Sequence, residues 1–92
     1  MLANDQSQPQ SFWVIVPTYN EVESISILIS YITELLQDVH VLVVDDGSPD
    51  GTAQEVKRLQ KSNEGRIHLL ERKGKLGLGT AYIEGFKIAL AK

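Results

Sequence analysis

With 92 residues, a formal net charge of −3 and no cysteine, the sequence has room for one small domain and none of the parts for disulfides, thiolate metal sites or cysteine nucleophiles. Hydrophobic residues at 42% and charged residues at 23% are ordinary for a globular protein and exclude disorder, collagen and coiled coil. The acidic balance argues against a nucleic-acid partner. No apolar run approaches the roughly 20 residues that span a bilayer, so a cytoplasmic, reducing setting is the expectation.

Residues 1–11 are polar and lack the positive start and apolar middle of a signal peptide, which makes them a disordered leader by expectation. Residues 12–16 form a continuous apolar run stopped by Pro17, as in a strand buried on both faces. Asn20 and Glu23 have capping-box spacing, and Ile25, Leu28, Ile29, Ile32, Leu35 and Leu36 follow at helical spacing, so the first helix is expected over residues 21–36. Residues 39–44 repeat the buried-strand pattern and end at an acidic pair and a turn-forming Gly-Ser-Pro-Asp-Gly stretch. Thr52 and Glu55 give a second capping box, with Ala53, Val56 and Leu59 as the buried stripe of a short polar helix. A third strand over 66–70, a basic glycine-rich loop over 73–79 and a third helix marked by Ala81, Phe86, Ala89 and Leu90 complete a β-α-β-α-β-α order. Alternation of this kind implies a Rossmann-like α/β/α layering around a short parallel sheet. His40 and His68 sit inside expected strands and make no ligand cluster.

Ligands of open parallel sheets bind beyond the carboxyl ends of the strands, so the three strand-to-helix loops carry the candidate chemistry. In the first, Tyr19 offers a ring face to a flat base and Glu21 an anionic acceptor; the competing reading, favoured by this loop alone, makes Pro17 and Asn20 turn and cap residues and Glu21 a charge that suits the helix dipole. In the second, Asp45, Asp46 and Asp50 exceed what a turn requires. Alternation along a strand sends Asp45 and Asp46 to opposite sides, so that one orients the loop while the other meets a ligand; turn and cap roles for Asp50 and Asp46 are the competing reading. The third loop, residues 74–80, places backbone N–H groups at a helix start, where an anion binds well. It has neither Walker A spacing nor the G-x-G-x-x-G of dinucleotide sites. Arg72, Lys73 and Lys75 either meet phosphates or are simply solvated.

Together the stretches at residues 14–21, 43–52 and 75–82, with Gly85 beyond, resemble the N-terminal part of family 2 glycosyltransferases of the GT-A fold. The likeness is strongest to the dolichyl- and polyprenol-phosphate mannosyltransferases. The resemblance implies that Pro17, Tyr19, Glu21, Val44 and Asp46 hold the nucleoside of a nucleotide-sugar of the GDP-mannose or UDP-glucose type, with Asp46 facing the base. It further implies transfer of the sugar to a polyprenyl or dolichyl phosphate with Mg²⁺ or Mn²⁺ at the leaving diphosphate, the complete enzyme working at the cytoplasmic membrane face. The family's Asp-x-Asp metal motif does not occur in these 92 residues. The expectation is therefore a nucleoside-binding half-site, inactive alone, without metal ligands or acceptor site. The implied sheet order, three beside two beside one, leaves the first strand as an open apolar edge suited to a homodimer. Two other readings compete: a non-catalytic interaction module using that edge, and a receiver-like signalling domain. The second is disfavoured because receivers carry their acidic pair after the first strand.

Overall fold

The computed structural model describes residues 12–63, 65–74 and 77–91. The expected leader, and Lys75 and Leu76 of the third motif, lie outside the described residues. The element order is β1 (Phe12–Thr18), α1 (Val22–Leu35), β2 (Val39–Asp45), α2 (Thr52–Ser62), β3 (Ile67–Glu71) and α3 (Leu78–Ala91). The strands form one parallel sheet in the order β1-β2-β3, as the resemblance implied.

The central strand explains its own sequence. Val39, Val41 and Val43 pack with Ile25 and Ile29 of α1 and with Val56 and Leu59 of α2, whereas Leu42 and Val44 face Ala81 of α3. Burial on both faces makes the run apolar on both alternates, broken only by the half-buried His40. Helices α1 and α2 thus cover one face and α3 the other.

Several local expectations need correction. Pro17 does not end β1; it pairs in register with Val44, which an edge strand tolerates because the missing N–H faces away from the neighbour. On α1, Ile25 and Ile29 are buried, but Leu28, Leu35 and Leu36 of the expected stripe are exposed, with Ile27 and Tyr31. Large apolar residues also stand outside the packed face of this helix, so periodicity alone does not single that face out. On α3 the packed residues are Ala81 and Gly85, while Phe86 and Leu90 are exposed. A Cβ at Gly85 would lie 2.8 Å from Ile15 Cγ2, so glycine here is what lets α3 sit on β1.

Neither capping box forms. Both α1 and α2 begin without a local side-chain cap, and Asn20 adopts a left-handed φ of 58°. Asp50 instead serves both helices: Oδ2 accepts the Val22 amide at 3.1 Å, and Oδ1 accepts the Thr52 amide at 3.0 Å and the Thr52 hydroxyl at 2.5 Å. Thr52 Oγ1 in turn accepts the Glu21 amide at 2.9 Å. Glu55, the other half of the second box, pairs with Arg58.

The two histidines, expected on separate strands, meet on the α3 side of the sheet. His40 Nδ1 and His68 Nε2 are 3.1 Å apart, and the single tryptophan, Trp13, stacks on both rings at 4.7 and 4.6 Å. No helix among the described residues is long and apolar enough to cross a membrane.

Candidate functional site

At the carboxyl ends of the strands, a cavity of about 220 Å³ is lined by Pro17, Thr18, Tyr19, Glu21, Asp46, Gly77 and Leu78. Four of the five expected nucleoside residues therefore share one wall system. Val44 does not line it; its side chain is fully buried against Leu42 and Ala81, on the core side of the same loop. Thr18, Gly77 and Leu78 enter as additions, and the glycine-rich third loop was the signal for the last two. The volume is below the roughly 300–1,000 Å³ of complete small-molecule sites, consistent with part of a site.

The acidic pair divides its labour as strand alternation requires. Asp45, 1% exposed, accepts the Thr18 hydroxyl at 2.7 Å, the Ser48 amide at 3.0 Å and the Ser48 hydroxyl at 2.6 Å. Ser48 Oγ then accepts the Asn20 amide at 2.8 Å. One carboxylate thereby ties the first loop to the second. Asp46 turns the other way, into the cavity wall, where Arg72 Nε and Nη2 donate to its two oxygens at 2.6 and 3.0 Å.

Arg72 thus corrects both readings made for it. It is neither a solvated loop cation nor a group aimed at phosphate; its guanidinium is buried and also donates to Thr80 Oγ1 at 3.0 Å and the Gly77 carbonyl at 3.2 Å. The hydrogen-bonded Asp46 carboxylate, more than any other neighbour, holds the guanidinium pKa above its usual range. Backbone contacts lock the same region: the Arg72 amide donates to the Asp45 carbonyl at 2.7 Å. Gly47, at φ +70°, comes so close to the third loop that a Cβ would lie 3.0 Å from the Gly74 nitrogen.

The Asp50 carboxyl sits below its ordinary pKa of 3.8. Partial desolvation pulls it upward but is outweighed by hydrogen bonds from the Thr52 side chain and the Val22 and Thr52 amides. A depressed folded pKa contributes stability that is present above the unfolded value and lost as pH falls through the folded one. The stability difference between wild type and Asp50→Asn, present near neutral pH, is expected to close below about pH 4. Urea denaturation across that range measures it; a difference that persists at the acid end would mean the double cap does not depend on the charge.

Comparison with known proteins bears on what this wall belongs to. Residues 13–92 match the family model for glycosyl transferase family 2. The chain belongs to that family. It is 43% identical over 79 residues to the polyprenol monophosphomannose synthase of Mycolicibacterium smegmatis, covering 86% of this chain and 30% of that protein. It is 41% identical over 78 residues to the undecaprenyl-phosphate mannosyltransferase of Micrococcus luteus, covering 85% of this chain and 32% of that one. The chain thus spans about a third of the length of these curated relatives. Its fold matches the mannosyltransferase PcManGT of Pyrobaculum calidifontis, solved with GDP-Man and Mn²⁺, with a TM-score of 0.78 and 30% identity over 95% of this chain and 26% of that one. The α/β architecture is therefore that of a GT-A glycosyltransferase, and family membership removes the receiver-like reading.

The described residues do not fit a divalent cation. They contain no group of three or more His, Asp or Glu side chains placed to hold a metal. The loop aspartates are engaged otherwise, Asp45 by Thr18 and Ser48, Asp46 by Arg72, and Asp50 by two helix starts.

Proposed function

We propose that this chain forms the nucleoside-binding part of a glycosyltransferase that moves mannose from GDP-mannose to a polyprenyl phosphate. The observation that carries the reading is the convergence of Tyr19, Glu21 and Asp46 against Gly77 and Leu78 in one cavity at the strand ends. A half-buried ring face and two carboxylates suit a flat, donor-bearing base. The activities for which the two relatives are named and the GDP-Man held by PcManGT support the choice of donor and acceptor. The acceptor phosphate oxygen would form the new bond at the sugar carbon while the bond to the nucleoside diphosphate breaks. Mn²⁺ or Mg²⁺ at that diphosphate would need ligands from outside the described residues, and a lipid acceptor would place the whole protein at a membrane face.

Titration calorimetry of the 92-residue chain with GDP-mannose, GDP and UDP-glucose tests the nucleoside claim. Binding of the guanosine ligands at about millimolar Kd or tighter, abolished by Asp46→Ala, is the expected result. Absence of heat at saturating concentrations of all three would remove the proposal.

A second reading rests on β1, whose outer edge is unpaired among the described residues and begins with a Phe12 that is 55% exposed. An apolar open edge invites strand pairing, so self-association of this chain through β1 is expected. Sedimentation equilibrium at high concentration showing only monomer would count against it.

A further inference from the structure

We infer that Arg72 is a positioning residue that sets the base selectivity of the nucleotide site by fixing the carboxylate of Asp46, an inference that rests on the nucleotide-binding reading above. Arg72 does not line the cavity, whereas Asp46 and Gly77 do. From behind the wall its guanidinium holds both of them. Nε and Nη2 fork onto Oδ1 and Oδ2 of Asp46 at 2.6 and 3.0 Å, which fixes the plane of the carboxylate as well as its place. Nη2 also donates to the Gly77 carbonyl at 3.2 Å, and Nη1 to Thr80 Oγ1 at 3.0 Å. The Thr80 hydroxyl bonds the same Gly77 carbonyl at 3.0 Å, and Glu84 closes the far side at 3.5 Å from Nη1. One buried cation therefore sets the spacing between the end of β2 and the first turn of α3.

The consequence concerns direction rather than strength. A carboxylate free to rotate accepts a hydrogen bond from many angles and distinguishes bases poorly. A carboxylate with both oxygens forked by one guanidinium offers only its remaining lone-pair directions to the cavity. The fork takes the two inward lone pairs, so the ring N–H and amino group of guanine cannot both pair with Asp46. The ring N–H of guanine, however, lies farther from its ribose than that of uracil does, so an acceptor fixed in place meets one and not the other, whereas a mobile one reaches both. Only arginine supplies the fork; lysine supplies the charge without it.

The test titrates GDP and UDP into the whole 92-residue chain as wild type, Arg72→Lys, Asp46→Asn and the double variant. Arg72→Lys is expected to reduce the preference for GDP over UDP about tenfold while changing UDP affinity by less than about twofold. The double variant should discriminate no worse than Asp46→Asn alone, because the two residues act as one unit. Equal weakening of both ligands, or an unchanged ratio, would overturn the inference and leave Arg72 a structural residue. If Arg72→Lys fails to give a cooperative melt, Thr80→Val removes one anchor of the same guanidinium without touching the charge pair; a lowered ratio supports the inference and an unchanged one overturns it. Wild type that binds GDP and UDP equally overturns the inference but leaves the site reading standing. Wild type that binds neither removes the site reading itself.

Discussion

Arg72→Met is expected to destabilise the chain by about 3–5 kcal/mol, the usual cost of removing one partner from a buried ion pair. The side chains of Arg72 and Asp46 are only 4% and 9% exposed, so water entering from the cavity replaces the forked guanidinium at the Asp46 carboxylate only in part. Methionine keeps the length of the stem and removes the charge, which isolates the electrostatic loss from a packing loss. Against a total stability of about 5–15 kcal/mol for a domain, a change of this size moves the urea midpoint sharply. Adding Asp46→Asn to the same chain should restore a large part of the loss, because the buried charge is then gone as well. A single-variant cost below about 1 kcal/mol would place the pair with solvent-screened surface bridges and contradict its burial.

The second large effect is expected at the neighbouring carboxylate, for a different reason. Asp45→Ala deletes the acceptor of three hydrogen bonds, from the Thr18 hydroxyl and from the amide and hydroxyl of Ser48. A buried donor left without its acceptor costs about 1–3 kcal/mol, so a total near 3 kcal/mol is expected. The local consequence is more specific. Ser48 Oγ holds the Asn20 amide, so loss of Asp45 also loosens the first loop, where Tyr19 and Glu21 stand. Hydrogen exchange should speed up at Asn20 and Ser48 before it does at Val41 or Val43 in the core. Uniform acceleration across the sheet would mean that Asp45 supports the whole fold rather than the loops.

Much of the fold is legible because burial writes a local pattern. The run over residues 39–44 is unbroken but for His40 because β2 is covered on both faces, and the Ala53, Val56 and Leu59 stripe is clear because the rest of α2 is polar. The same logic fails on α1, where exposed Ile27, Tyr31 and Leu35 are as apolar as the buried face. Sequence spacing also suggests caps from Asn20 and Thr52, whereas Asp50, 28 positions away from Val22 in the chain, takes the first helix start. A capping box is a bet that the nearest acceptor wins, and here a carboxylate from the next loop is better placed.

The alternation of strands and helices, the parallel sheet, the three loops at its carboxyl end and the family of the chain are all determined by the sequence alone. Hydrophobic periodicity acts between residues one or two turns apart, and glycine, proline and aspartate punctuate it where they stand. Only the tertiary structure decided which polar side chains face the cavity and which hold its walls. Arg72 meets Asp46 across 26 positions and Asp45 meets Thr18 across 27, because a buried charged or polar group takes whatever partner the packed strands bring within hydrogen-bonding distance. That competition separates Asp46, on the wall, from Asp45, behind it, although the two are adjacent in the chain.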